Sequence, residues 1–271
     1  MHPFSNVILL ISFNYSHCVK NVDFLKKMYA PYFKTILFYS SELTDNAEVN
    51  HVYFGLNGII PEKIFKHFHI HYKHLINESD GLFYCADDNL INLNILNYFS
   101  NDKIISGLVE GMYRPNNFHF LNDLEKYQYD SWPWWKDYNE KYGFAAIRNL
   151  QQDEEFKQFH ITKYSRNSSD FFYLPKKYLT NTFFTLLELF GKYDVFHEIA
   201  IPTVINNIEP DLTKYHYYKY LWIHMEEQAS IYKEEKLYQV LISEPCFAVH
   251  PIKLLNNDAM KRLLEKYNPI H

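Results

Sequence analysis

The stretch "GLFYCADDNLINLNIL", Gly81 to Leu96, decides how the chain reads. An apolar run breaks off at two neighbouring carboxylates, Asp87 and Asp88, and an amphipathic run follows. Each carboxylate raises the cost of ionising the other. Placed directly after a buried strand, such a pair is poorly solvated unless a cation or a helix N-terminus offsets it. Two carboxylates at the mouth of a sheet bind a hard divalent cation, share a proton as an acid/base pair, or stay hydrated on a turn. The bland alternative is that Asp88 or Asn89 caps a helix that follows. Capping needs one such residue, not two Asp, and this favours metal or nucleotide binding.

The same alternation of strand and helix runs outward from this point. "NVILLISF" reads as a buried strand ending at Asn14-Tyr15, and "KNVDFLKKMYAPYF" as a helix stopped near Pro31. "KTILFYSSE" is a second buried strand ending in Ser40-Ser41, and "NHVYFGLNG" is a candidate third. "EKIFKHFHIHYKHLIN" reads as a helix, "DGLFYC" as a strand, and "NLINLNILNYF" as a helix with apolar residues at helical spacing. Short apolar strands alternating with amphipathic helices predict an α/β fold with a mostly parallel sheet. Ligands of open α/β sheets bind beyond the carboxyl ends of the strands. That places Asn14, Tyr15, Ser40, Asp87 and Asp88 along one edge.

The second half is less regular. "YDSWPWWKDYNEKYGFAAIRNL" carries three Trp within four positions. "SSDFFYLPKKYLTNTFFTLLELFGKY" predicts a strand up to Leu174 and a helix entered near Pro175. "VFHEIAIPTVI" is an apolar segment interrupted by His197-Glu198, and "YHYYKYLWIHMEEQASIYKEEK" reads as helical. "FAVHPIKLLNNDAMKRLLEKY" reads as a strand or loop followed by a helix. No Pro/Gly/Ser-rich linker separates the halves. The expectation is one unit with two subdomains, 1–130 and 131–271.

Composition narrows the class. A chain of 271 residues, 47% hydrophobic and 22% charged, has ample material for a core. A net charge of −5 without a basic stripe argues against a duplex nucleic-acid partner. The aromatic fraction of 18% suits sugars and bases, yet its even spread is read as compositional drift. Cys18, Cys85 and Cys246 are far apart and odd in number, so a reducing compartment is the simpler expectation. The early apolar run Val7 to Phe13 is too short to span a bilayer and lacks a basic flank. A cytoplasmic location is expected. The sequons at Asn14, Asn77 and Asn167 then read as chance matches.

The ordered set of segments resembles the GT-A glycosyltransferases. The Asp-Asp element in "GLFYCADDNLINLNIL" is similar to their DxD-type motif, and more narrowly to that of the STELLO-type group and related transferases of large algal viruses. "VILLISFNYSHCVKNVDFLKKMYAPYFKTILFYS" resembles that group's first strand, helix and second strand. "SWPWWKDYNEKYGFAAI" resembles its Trp-rich segment, and "DFFYLPKKYLTNTFFTLLELFGKYDVFHEIAIPTVI" a further block. The resemblance implies a GT-A α/β fold, with 1–130 binding the nucleotide sugar and a more helical C-terminal subdomain, 131–271, binding the acceptor. It implies a Mn²⁺ or Mg²⁺ ion bridging the diphosphate of a nucleotide sugar, most simply a UDP-sugar, with a glycan as acceptor. A surface N-glycan and a pentose donor such as xylose are its narrowest implications, with a host cytoplasm as the location of a viral member or a Golgi lumen if an anchor has been removed.

Roles follow residue by residue. Asp88 matches the metal-binding carboxylate, with Asp87 at the ribose or at the ion through water. His250 in "AVHPIK" lies where GT-A folds add a histidine to the metal, and imidazole suits Mn²⁺. Its bland alternative is a histidine satisfied by backbone. Lys253 is a candidate point charge for the diphosphate. Ser12, Asn14, Tyr15 and Ser40 fall where the nucleoside is held, with Tyr15 stacking on the base. Inversion needs a base, and Glu198, interrupting an apolar run, is the first choice. It matches the place of the GT-A xED motif, but this chain reads His197-Glu198-Ile199 without the final acid. Asp170 is the second candidate; a retaining enzyme needs neither. Among Trp132, Trp134 and Trp135, Trp134 or Trp135 is the candidate acceptor platform, although clustered Trp is more often core. Arg148 is a candidate for orienting hydroxyls. A catalytically weak glycan- or nucleotide-sugar-binding protein is the competing class, since fold does not establish activity. A nucleotidyltransferase or phosphohydrolase would call for further clustered carboxylates or a Gly-rich loop, and the chain has seven Gly and no Walker pattern.

Overall fold

The uncharged run Val7–Phe13 forms strand β1, buried along its whole length. Alternate residues of a strand enter opposite faces, and both faces of β1 are covered. Leu9, Ile11 and Phe13 share one apolar cluster with Val22, Leu25 and Met28 of helix α1 (Val22–Tyr29). Ile8 and Leu10 belong to a second cluster on the other face. A computed structural model of the chain describes residues 3–54, 60–108, 119–120, 142–143, 145–165, 167–222, 248–252, 254, 261–262 and 265. After α1 come β2 (Thr35–Ser40), β3 (Val49–His51), helix α2 (Ile60–Tyr72), β4 (Gly81–Ala86), β5 (Leu90–Ile91), β6 (Ile104–Leu108) and β7 (His119–Phe120). Helices α3 (Ala145–Leu150) and α4 (Glu154–Lys157) lead to β8 (Lys163–Tyr164) and β9 (Phe171–Pro175). Helices α5 (Asn181–Lys192) and α6 (His197–Ile208) precede β10 (Tyr215–Trp222) and β11 (Ala248–His250).

Local chemistry sets several of these ends. The Asp153 carboxylate accepts from Glu155 N and Phe156 N at the start of α4, and Thr180 Oγ1 accepts from Phe183 N at the start of α5. Each cap satisfies backbone N–H groups that a helix start leaves open, worth about 1 kcal/mol. The second cluster is built around Phe65 of α2. Its ring stacks on Phe172 at 5.6 Å and meets the edge of Phe183 at 5.6 Å, tying α2 and α5 to β9. Burial of such a ring contributes roughly 1.5–3 kcal/mol.

Among the described residues, nine strands make one sheet, in the order β3-β2-β1-β4-β9-β6-β10-β11-β5. β1 pairs in parallel with β2 and β4, and β10 with β6 and β11. β9 is antiparallel to both β4 and β6. The fold is the mixed, mostly parallel α/β sheet flanked by helices that the sequence predicts, and β9, from the second half, lies inside it. The topology fixes one sheet edge. β1, β2, β4 and β11 all end there, and β9 begins there because it runs the other way.

Two predicted helices are different. Leu90–Ile91 is a strand antiparallel to β11, with Ala248 opposite Ile91 and Val249 opposite Leu90, and Leu93–Tyr98 is a 3-10 helix. Pairing with a distant strand overrides the helical spacing, and no α-helix follows for Asp88 or Asn89 to cap. The start of "YHYYKYLWIHMEEQ" is strand β10, in line with the β preference of consecutive aromatics. No helix among the described residues is long and apolar enough to cross a membrane.

The strand that carries the Asp pair also admits no side chain at its first position. A Cβ on Gly81 would stand 2.5 Å from Tyr173 Oη and also overlap Leu174 O, because β4 and β9 lie against each other there. Gly81→Ala is expected to cost about 1–3 kcal/mol or more of stability in urea unfolding; a neutral substitution would contradict this packing.

Candidate active site

β4 delivers the two carboxylates. Asp87 N donates to Ser12 O at 2.8 Å, which carries the β1–β4 ladder one step past the strand end. The chain then turns, with Asn89 N donating to Ala86 O at 3.0 Å. Asp87 is half-buried, and its Oδ1 accepts from Asn14 N at 3.2 Å. Asp88 is buried, and its carbonyl accepts from Ile252 N at 2.7 Å, joining the turn to the segment just after β11.

β11 ends in His250, also buried. His250 Nδ1 lies 3.2 Å from Asn89 Oδ1 and 3.5 Å from Asp170 Oδ2. Both oxygens only accept, so Nδ1 carries the proton, and in the neutral ring Nε2 is a lone pair. That lone pair faces Asp88 Oδ2 at 3.8 Å. Two electron-rich atoms so placed call for positive charge between them, as a proton on Nε2 or as a cation. One ion with ligands at about 2.1 Å reaches two atoms up to roughly 4.2 Å apart, so the pair fits a divalent cation. No group of three or more His, Cys, Asp or Glu among the described residues is spaced to hold a metal by itself. A Mg²⁺-type ion is held through one or two carboxylates plus substrate phosphates and water; Asp88 offers one such carboxylate, with His250 beside it.

Beside the pair lies a cavity of about 150 Å³ lined by Tyr15, His17, Cys18, Asn21, Asp87, Asp88, Ile252 and Leu254. Tyr15 is 49% exposed and stacks on His17 at 5.4 Å with 22° between the rings. Asn14 Oδ1 and Asn21 Oδ1 are buried and meet no hydrogen-bond donor among the described residues.

Asp170, at the entrance to β9, stands between two imidazoles. Its Oδ2 faces His250, and its Oδ1 lies 3.6 Å from His197 Nε2. Burial by itself pushes the Asp170 carboxyl up, but His197 and His250 hold it below the ordinary carboxylate value. Burial pulls the His197 ring down, yet Asp170 first, and then the Glu198 and Glu62 charges, lift it to about 9.

The remaining predicted residues fall as follows. Ser12 is fully buried, with its Oγ hydrogen-bonded to Tyr84 Oη at 2.8 Å inside the sheet. Ser40 is buried at the end of β2, where its Oγ accepts from Glu42 N at 3.2 Å. Glu198 is half-buried in the first turn of α6, and its carbonyl accepts from Asn167 N at 3.0 Å. Arg148 is exposed on α3, whose Ala146, Ile147 and Leu150 pack into the second cluster. Trp132, Trp134, Trp135 and Lys253 lie outside the described residues. The sequence gives Asn89 only a capping role and assigns none to His17, Glu62 or His197. Asn89 follows the Asp pair directly and His197 precedes Glu198, so adjacency was the available signal; His17 and Glu62 carried none.

No family model matches the chain, and no curated protein matches it in sequence. Among solved structures it is similar to a glycosyltransferase involved in the glycosylation of the major capsid of PBCV-1. The identity is 8% and the TM-score 0.43, over 96% of this chain and 98% of that one. It is also similar to the galactosyltransferase LgtC in complex with donor and acceptor sugar analogs, at 9% identity and a TM-score of 0.38, over 97% and 94% of the two chains. An active-site mutant of LgtC overlays at 10% identity and a TM-score of 0.40, again over 97% and 94%. At identities and scores this low, none of the three assigns a residue role or an activity to this chain.

Behind His197, in the first turn of α2, Glu62 is 1% exposed, and neither carboxylate oxygen meets a donor among the described residues. Burial pushes its carboxyl from 4.5 up to about 7, with the His197 charge pulling the other way. A carboxyl whose pKa rises on folding contributes stability fully below its unfolded value and loses it as pH climbs through the folded one. Glu62→Gln removes that loss. The variant is expected to gain on the wild type by about 3 kcal/mol between pH 4.5 and pH 8, measured by urea unfolding across the range. A variant that instead loses ground as pH rises would show Glu62 to be a stabilising anion.

Proposed function

We propose that the chain is a divalent-metal-dependent glycosyltransferase of GT-A type. It moves a sugar from a nucleoside diphosphate donor, with UDP-sugars the first to try and UDP-xylose among them, to a hydroxyl of a glycan. The observation that carries this reading is the approach of Asp88 Oδ2 and His250 Nε2, 3.8 Å apart beside a cavity bounded by Asp87 and Tyr15. Asp88 and His250 would hold Mn²⁺ or Mg²⁺. Such an ion neutralises the charge that develops on the leaving diphosphate.

The chain's own groups do the rest. Asp87, tied to Asn14 N, fixes the turn and offers its second oxygen toward the ribose or an ion-bound water. Tyr15 and His17 present ring faces to the base, where each stack is worth about 1–3 kcal/mol. Lys253 adds positive charge near the diphosphate, and Trp134, Trp135 and Arg148 serve the acceptor side. Glu198 takes the proton of the acceptor hydroxyl in an inverting transfer. Its place in the first turn of α6, next to the histidine that meets Asp170, supports that assignment.

Two variants test the reading. Asp88→Ala is expected to lose Mn²⁺-dependent UDP binding in calorimetry while keeping the wild-type circular dichroism. UDP binding in that variant that is undiminished and insensitive to EDTA would remove the metal assignment. Glu198→Gln is expected to bind donor normally and lose turnover by about 10²–10⁴-fold. Near-normal kcat would take the base role from Glu198, and a wild type that binds UDP with metal but transfers to no glycan would identify a binding protein.

A further inference from the structure

We infer that Asp170, with His197 behind it, is a positioning residue that fixes the His250 imidazole for metal binding, and is not the proton acceptor of the transfer. This rests on the metal role of His250 proposed above.

The backbone of Asp170 is anchored to the carboxylate turn itself. Its carbonyl accepts from Ala86 N at 2.8 Å and from Asn89 Nδ2 at 3.4 Å, and the next residue, Phe171, pairs with Cys85. The side chain therefore starts from a fixed point beside the Asp pair. Its oxygens are divided between two rings. Oδ2 lies 3.5 Å from His250 Nδ1 and 3.4 Å from Ser168 Oγ, and Oδ1 lies 3.6 Å from His197 Nε2. His197 is the first residue of α6 and buried, so the far side of the carboxylate is held by a helix start.

This is the arrangement that orients a ligating imidazole. A histidine that binds metal through one nitrogen donates its other N–H to a carboxylate or carbonyl, which sets the tautomer and the ring plane. His250 Nδ1 is hydrogen-bonded to the Asn89 side-chain carbonyl oxygen at 3.2 Å, the Asp170 carboxylate stands beside that bond as a charge 3.5 Å from the same nitrogen, and Nε2 lies 3.8 Å from Asp88 Oδ2. A general base, by contrast, must bring an oxygen to about 2.6–3.2 Å from the acceptor hydroxyl. Both Asp170 oxygens are instead turned to imidazoles, and its side chain is only 19% exposed. The same carboxylate also joins the metal side of the site to the residue preceding Glu198.

The test is a Mn²⁺ titration of the full chain followed by the free-ion EPR signal, paired with kcat at saturating Mn²⁺. Asp170→Asn is expected to raise the Mn²⁺ Kd about 10- to 100-fold, with kcat at saturating metal within about threefold of wild type. His197→Gln is expected to shift Kd the same way by a smaller factor, and circular dichroism checks that both variants are folded. An unchanged Mn²⁺ Kd in Asp170→Asn with kcat lowered about 100-fold or more would make Asp170 the base and overturn the inference. Should Asp170→Asn fail to fold, an unchanged Kd in His197→Gln overturns it equally. A wild type that takes up no Mn²⁺ gives a different pattern and overturns the metal reading underneath.

Discussion

Strand β9 runs against its neighbours, and the candidate site depends on that reversal. β1, β4 and β11 run the same way, so their last residues reach one edge of the sheet. A strand parallel to them in the place of β9 would put Asp170 at the opposite edge. Because β9 is antiparallel to both β4 and β6, its first residues meet the turn after Ala86, and Asp170 O accepts from Ala86 N. The Phe65–Phe172–Phe183 contacts hold that strand from below. Packing of α2 and α5 on β9 thereby sets the position of a carboxylate at the edge.

Carboxylates and imidazoles alternate across this edge, from Asp88 through His250 and Asp170 to His197, with Glu62 acting on His197 from behind. Buried charges cost several kcal/mol each unless they are paired, and here each imidazole faces carboxylates. At the outer end of this alternation, Asp88 Oδ2 and His250 Nε2 lie 3.8 Å apart, and this is where the proposed cation would stand. The inner end is closed by Glu62, whose carboxyl burial pushes up to about 7.

The sequence showed the strands best where uncharged runs end in polar punctuation, as at Val7–Phe13 and Gly81–Cys85. There, burial on both faces leaves one local answer. It misread "NLINLNILNYF", because Leu90–Ile91 is a strand only by virtue of pairing with Ala248–Val249, which no local spacing encodes. "YHYYKYLW" is a strand where the aromatic and acidic segment predicts a helix, in line with the strand preference of its own aromatics. At the site, the Asp pair stood out because two adjacent charges after an apolar strand need a reason. The grouping of Asp170 with His197 and His250 had no such local mark. Three separate elements supply those side chains, and only the sheet order brings them together. Ser12 and Ser40 show the converse: strand-end position is readable, but the Tyr84 and Glu42 partners that engage their hydroxyls are not.

The central claim is that a divalent ion joins Asp88 to His250 at this edge. Crystals grown with Mn²⁺ and UDP, measured on both sides of the manganese absorption edge, test it most directly. The account predicts an anomalous peak between Asp88 Oδ2 and His250 Nε2, with diphosphate oxygens completing the shell. UDP bound at the cavity with no anomalous peak there, or a peak coordinated by neither residue, would contradict it.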